Sequence, residues 1–481
     1  MSARAQYGQR TDKTAEPDVD VAVVGAGVVG AAIARELSGF EMSVALVEAH
    51  GDVGEGTSKA NTAVLHTGFD AIPGSLESRL IRRGAALLAA YARRTGIAIE
   101  RPGAILVAWN EEERAALPRL RDKASANGYT GCEIVDSLEV YRQVPALGAG
   151  ALGGLTVPDE SIICPWTATL ALATDAQQRG ATLLLNHRVN SISRSPHSTT
   201  LHSEGGRICA RWVINAAGLG CDYIDNLFGY ARFRVLPRRG ELLVFDKFAR
   251  PLANKIVLPV PTARGKGVLI SPTVYGNVIL GPTTDEVDDR SVTGTSEAGI
   301  ELLLDKARTL MPRLLQEQVT ASYAGVRAAI DLGTYLIDAD PMQRYVLVGG
   351  VRSTGLTPSM AIAEHVRHLI EITGPALAPR STVPEPPRMP NLGEISQRAY
   401  QDPAKIVADP AYGRIVCFCE RVTAGEIRDA CSSSIPPRGL DGLRRRTRAM
   451  NGRCQGFFCG AEVQALMHAQ IEAGPQRSME R

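Results

Sequence analysis

Four cysteines near the carboxy end stand at a spacing that holds metal. Cys417 and Cys419 form a C-x-C pair, and further along the chain Cys454 and Cys459 form a C-x4-C pair. Four thiolates hold either a zinc ion or a [2Fe–2S] cluster, because tetrahedral sulfur coordination suits both. Structural zinc usually prefers C-x2–4-C pairs, so the C-x-C pair leans toward the cluster. Glycines at 452, 456 and 460 let backbone N–H groups approach the sulfurs and tune their potential. Cys431, on a helix end between the pairs, is not expected to be a ligand. The run Arg444, Arg445, Arg446 and Arg448 reads as a solvated helix face, or as a docking surface for an acidic electron carrier.

The amino end carries a different chemistry. Gly25-Ala26-Gly27-Val28-Val29-Gly30 follows an apolar run and opens an alanine-rich one. Gly25 suits a tight turn, Gly27 close backbone approach to a pyrophosphate, and Gly30 close helix–strand packing. The helix amino terminus then faces the negative charge. Glu48, which ends the next apolar run after Gly30, falls where an acid takes the ribose hydroxyls. NAD and FAD share this fingerprint. Two further glycine turns decide between them: NAAGLG (Asn215 to Gly220) and GGVRSTGLTPS (Gly349 to Ser359). Three distant glycine sites suit one long, thin ligand lying extended, which is FAD. Ala217 and Gly218 in the first turn, and Gly350, Gly355, Leu356 and Thr357 in the second, are assigned to it.

Oxidising a C–H beside a hydroxyl removes a hydride and a proton, so such a site needs a base next to the flavin. Of eight histidines, only His66 sits in a loop of glycine and small residues just after the βαβ unit. Imidazole titrates nearest neutrality. Arg327 follows a Tyr-Ala-Gly turn, and its planar fork suits phosphate or carboxylate. Arg239 and Lys266 are lesser candidates for a second anionic contact.

These residues must be positioned by a chain of 481 residues, long enough for about three domains. Asp18 to Val24 and Ser43 to Val47 read as buried strands flanking a helix, and residues 240 to 350 read as a strand-rich insert. Eight prolines between 373 and 412 mark a surface linker. Hydrophobic residues at 44% and charged residues at 22% exclude wholesale disorder. A net charge of +2 gives no field for nucleic acid, and no apolar run approaches the roughly 18 to 20 residues of a spanning helix. No secretory leader is evident, and five of nine cysteines cluster between Cys417 and Cys459, so a reducing, cytoplasmic setting is expected.

The loop GAGVVG, the stretch TSKANTAVLHTGF, NAAGLG, YAGVRA and GGVRSTGLTPS together resemble the FAD-dependent glycerol-3-phosphate dehydrogenase and D-amino-acid oxidase superfamily. IVCFCERVTAGEI and DGLRRRTRAMNGRCQGFFCG resemble the bacterioferritin-associated-ferredoxin-like [2Fe–2S] module. The resemblance implies an α/β fold: a Rossmann-like FAD domain, an inserted antiparallel-sheet substrate cap, and a small, mostly helical cluster domain. The expected boundaries are a tail over 1–17; an FAD domain over 18–85, 150–235 and 335–372; a cap over 86–149 and 236–334; a linker over 373–412; and a cluster domain over 413–481. It places Ser58, Lys59 and Asn61 beside the flavin, His66 and Gly68 in the active-site wall, and Arg327 against the substrate's anion. The implied activity is oxidation of a small anionic 2-hydroxy compound, glycerol 3-phosphate first. L-2-Hydroxyglutarate or another 2-hydroxy acid is the runner-up, and amino- or imino-acid oxidation is third. Electrons would leave through the cluster to an acceptor protein or quinone. Peripheral membrane attachment through a partner protein is an option.

Overall fold

The computed structural model describes residues 16–261, 267–374 and 376–472, so Lys266 lies outside the described residues. The β-branched run of β1 (Val19–Val24) is buried from Val21 onward, as a strand covered on both faces requires. It pairs in parallel with β2 (Val44–Val47) on one side and with Gly206–Asn215 on the other. Eight strands make this first sheet, with Tyr345–Gly349 joined in parallel to Gly206–Asn215. Helix α1 (Val28–Leu37) packs between the helices Pro165–Gln178 and Ser359–Thr373. Its Ala and Ile side chains (Ala31, Ala32, Ile33, Ala34) are buried in the core it shares with them.

A second sheet of nine strands is inserted through the chain. Its spine is Val235–Phe245 paired antiparallel with Val319–Ile330, register Arg238 to Arg327. Most pairs are antiparallel, but Ile256–Pro259 runs parallel to Ala104–Ala108, so the sheet is mixed. Two details differ from the sequence expectation. Gly153–Val157 pairs with Ala104–Ala108 in this second sheet, not in the first. The helix Leu76–Thr95 runs straight through position 85 and packs on Ser359–Thr373. Ser75 caps that helix at its start and Gly96, in the left-handed region, ends it, so no break falls at 85.

The carboxy-terminal module is a short hairpin, Ile415–Cys417 with Val422–Thr423, and three helices, Ala424–Cys431, Leu440–Thr447 and Gly460–Glu472. The proline-rich segment before it is tied down. Arg380 donates to the carbonyls of Phe40 and Met42, the Met389 N–H bonds to the Thr95 carbonyl, and Leu392 is buried.

The arginine run is neither a solvated face nor a docking surface. Arg446 donates two 2.7 Å bonds to the two oxygens of Asp52, and Arg445 reaches Asp52, Glu55 and Asp441. Arg448 is buried, with Nε 2.9 Å from Glu420. Arg444 donates to Asn451 and Gln455 within the module. Arg445 and Arg446 are thus turned inward on the carboxylates that follow β2, while Arg444 and Arg448 are bonded within the module. Removing one partner of a buried pair leaves the other charge stranded, at about 3–5 kcal/mol. Asp52→Ala is therefore expected to lower the melting temperature and to speed hydrogen exchange in Leu440–Thr447; unchanged exchange there would show that the pair does not hold the module.

Acid should act on the same seam. Burial works against the charge of Asp441, but Arg445 and Lys59 beside it hold its carboxyl below the ordinary aspartate value. A depressed folded pKa gives stability that is present above the unfolded pKa and lost as pH falls through the folded one. Exchange in Leu440–Thr447 should thus rise on acidification below the ordinary aspartate range, and less so in Asp441→Asn.

Candidate active site and cluster site

The amino terminus of α1 is the meeting point of the separate glycine segments. A Cβ on Gly30 would lie 1.8 Å from the Gly25 carbonyl oxygen, and one on Gly25, at φ +106°, would lie 2.5 Å from the Ala216 oxygen. No side chain fits at either position. The NAAGLG turn is thereby pressed against the GAGVVG loop. Gly355 comes to the same helix, with Val29 Cγ2 3.8 Å from the Cβ it lacks. Ser58 closes the third side, its hydroxyl accepting the Val28 N–H at 3.0 Å and standing 3.1 Å from where a Gly27 Cβ would be. The result is a backbone-walled cradle at a helix amino terminus, which suits a pyrophosphate. Glu48 lies at its edge, buried, and accepts the N–H groups of Ala26 and His50. Burial pushes its carboxyl up, against those two bonds.

Not every expected neighbour faces the cradle. Lys59 turns its ammonium to Glu55 at 2.7 Å and Asp441 at 3.2 Å, so its side chain serves the seam with the carboxy-terminal module. Asn61 folds back on its own loop, accepting from Ala63 N–H and donating to the Ser58 carbonyl. Gly218 and Gly350 both have positive φ in their turns, and Gly350 has the Thr334 oxygen 2.3 Å from its would-be Cβ.

His66 follows the short strand Val64–Leu65 and is held at both ends. Its N–H donates to the Thr357 hydroxyl at 3.0 Å, which ties it to the third glycine segment. Its ring Nδ1 lies 3.2 Å from Glu160, a carboxylate with no exposure that also accepts both the N–H and hydroxyl of Thr67. The ring itself keeps 26% of its surface open. Sequence reasoning missed Glu160. It sits in a turn, VPDES, between strands, where an acid is unremarkable, and its partner is 94 residues away.

Arg327 lies on Val319–Ile330, on the same strand face as Tyr323 and Gly325 by the two-residue alternation. That face meets the 57–61 loop. The Tyr323 hydroxyl donates to the Asn61 carbonyl, and the Ala60 oxygen lies 2.3 Å from the Cβ that Gly325 lacks. The Arg327 guanidinium donates to the carbonyls of Thr283, Arg238 and Arg239 and to the Thr284 hydroxyl. No carboxylate among the described residues bonds to it, so its charge is uncompensated by contact. Burial and the neighbouring Arg238 draw its pKa down. Arg239 is committed elsewhere, 2.9 Å from the buried Glu241.

In the carboxy-terminal module Gly452 brings the two ligand segments together; a Cβ there would lie 2.2 Å from that of Cys419. The four thiols act on one another, Cys454 and Cys417 on Cys419, and Cys417 and Cys454 on Cys459, so they share one site. Two thiolates per iron is what a dinuclear cluster takes. N–H groups of Phe458, Gly456 and Phe457 aim at the Cys454 sulfur and hold its thiol below the ordinary value. Burial and Cys417 push Cys459 up to about 12. Those sulfurs and donors fit the cluster.

Residues 20–369 match the family model of the FAD dependent oxidoreductases. The chain belongs to that family. Residues 415–469 match the BFD-like [2Fe-2S] binding domain, so FAD and a [2Fe–2S] cluster are the two cofactors of this oxidoreductase. The chain is similar to a glycerol 3-phosphate dehydrogenase of Caloramator mitchellensis, 31% identical across 94% of both chains. It is 25% identical to one subunit of the anaerobic glycerol-3-phosphate dehydrogenase of Escherichia coli K12, across 93% of this chain and 88% of that one. The dithionite-reduced, FAD-bound L-alpha-glycerophosphate oxidase of Mycoplasma pneumoniae superposes with a TM-score of 0.72 at 28% identity, covering 78% of this chain and 99% of the other. Among the described residues no helix is long and apolar enough to cross a membrane.

The cradle makes a direct test available. Gly30→Ala forces a methyl group into the Gly25 carbonyl, so the purified variant should retain little or no flavin while the cluster absorbance persists. Normal flavin content would mean that the loop is not where FAD is held.

Proposed function

We propose that this oxidoreductase oxidises a small anionic 2-hydroxy compound, with glycerol 3-phosphate the favoured substrate, and passes the electrons through its cluster to an acceptor protein or quinone. The observation that carries the reading is the His66–Glu160 pair, tied through Thr357 to the third glycine segment, while Arg327 lies on the strand face that meets the 57–61 loop. Likeness over nearly the whole chain to a glycerol 3-phosphate dehydrogenase supports the choice of substrate.

His66 acts as the base. With the Nδ1 proton donated to Glu160, Nε2 carries the lone pair and takes the proton of the substrate hydroxyl. Glu160 is a positioning residue: it fixes the tautomer and stabilises the imidazolium that forms. Thr67 and Thr357 hold the two ends of this arrangement still. Arg327 binds the phosphate or carboxylate, since its fork is already aimed by three carbonyls and has no carboxylate in contact. In the proposed site Gly25, Gly27, Gly30, Glu48, Ser58, Ala217, Gly218, Gly350, Gly355, Leu356 and Thr357 hold FAD. Cys417, Cys419, Cys454 and Cys459 hold the cluster. When bound, FAD supplies a two-electron acceptor for the hydride, and the cluster supplies a one-electron outlet.

Anaerobic bleaching of the flavin by glycerol 3-phosphate, L-2-hydroxyglutarate and glycine tests the substrate class. Glycerol 3-phosphate should bleach it fastest; bleaching by glycine alone would replace the hydroxy substrate with an amine. His66→Gln is expected to lower kcat by about 10²- to 10⁴-fold, the usual range for losing a general base. Arg327→Ala should act mainly on KM. If kcat for His66→Gln stays near the parent value, another group takes the proton.

A further inference from the structure

One contact path between the cradle and the cluster module is built from groups that neither site needs for its own chemistry. Trp166 donates its ring N–H to the Lys59 carbonyl at 2.9 Å, and Lys59 follows Ser58 in the loop at the α1 amino terminus. The Trp166 ring stacks on Tyr275, with centroids 5.2 Å apart and planes 19° from parallel. The Arg448 guanidinium lies against this stack, 4.2 Å from the Tyr275 centroid and 6.0 Å from that of Trp166. Arg448 Nε then meets Glu420 at 2.9 Å, and Glu420 is the residue after Cys419. Asn277 takes a second guanidinium N–H at 3.1 Å. Tyr275, Arg448 and Glu420 are all buried.

Packing does not call for these residues. A buried ion pair is commonly matched or exceeded in stability by apolar side chains of the same volume. A guanidinium over an aromatic ring is nonetheless a close, attractive contact between a charge and an apolar surface. Electron tunnelling weakens steeply at every gap between atoms, so a route filled to interior density couples two redox sites better than one crossed by solvent.

We infer that Trp166, Tyr275 and Arg448 are the positioning residues that couple the flavin site to the cluster, as a fixed bridge of closely packed side chains. The inference rests on the reading that electrons leave the flavin through the cluster. Each crossing moves one electron from reduced flavin to oxidised cluster, and no covalent bond forms or breaks in the bridge. Two crossings remove the two electrons of the hydride, and the flavin's protons go to solvent. A one-electron acceptor outside the chain, ferricyanide in the test, reoxidises the cluster between them.

The test uses the holoenzyme under anaerobic stopped flow and rapid freezing, with Trp166→Leu, Trp166→Phe and Arg448→Lys. Flavin bleaching by substrate, the cluster's electron-spin signal and its midpoint potential should match the parent protein. Cluster reduction after flavin bleaching should slow by about tenfold or more in Trp166→Leu and Arg448→Lys, and return to within about twofold of the parent in Trp166→Phe. Parent-like cluster reduction in Trp166→Leu and Arg448→Lys overturns the bridge. So does equal slowing in Trp166→Leu and Trp166→Phe, because the ring would then not matter, or a shift of midpoint potential large enough to account for the slowing. Should glycerol 3-phosphate bleach no flavin, a flash of deazaflavin photoreduction starts the same relaxation, so a wrong substrate and a wrong route are told apart.

Discussion

Where Gly25 meets Gly30, at the start of α1, there is room for backbone and nothing else, and the rest of the molecule is arranged around that closeness. With the Gly25 oxygen 1.8 Å from where a Gly30 Cβ would sit, helix and strand are fixed against each other to a fraction of an ångström. The Ala216 turn closes on the same spot because Gly206–Asn215 runs parallel beside β1 and must end level with it. The two other segments arrive from far away in sequence. Thr357 reaches His66 across 291 residues, and Thr57 reaches the Val326 carbonyl across 269. His66 and the strand that carries Arg327 are thus positioned by the loop that forms the cradle's wall.

The second organising feature is the charged seam. Burying Arg445, Arg446 and Arg448 costs solvation that apolar residues would not forfeit. In return, each guanidinium is held by specific partners: two bonds to Asp52, a fork over Asp52 and Glu55, a seat over the Tyr275 ring beside Glu420. An apolar seam of equal area would tolerate sliding. Two redox groups whose separation sets a rate benefit from a seam that does not slide.

How much of this could be read from residues alone depended on whether the signal was local. The cradle was legible because its three glycines, the strand before them and the acid after them lie in one short stretch, from Val19 to Glu48. The four cysteines were legible for the same reason. The cap sheet was visible as strands, but its parallel pair joins Ile256–Pro259 to the distant Ala104–Ala108, and no local pattern marks such a pairing. Glu160 and Trp166 carried no spacing signal, because their partners are a ring and a carbonyl in distant loops. The arginine run misled for a physical reason. Four cations in five positions look solvated unless the carboxylates that meet them are known, and Asp52 stands at the opposite end of the chain.

Asp52 and Glu55 sit in the short stretch between Glu48 and Ser58, so one piece of backbone borders the dinucleotide cradle and anchors the cluster module. Thermodynamic linkage makes such an arrangement reciprocal. Whatever free energy the dinucleotide contributes by ordering that stretch, it contributes equally to docking, and docking returns the same amount to dinucleotide affinity. Assembly order therefore does not matter to the final state, and an enzyme that loses its dinucleotide docks its cluster module less firmly.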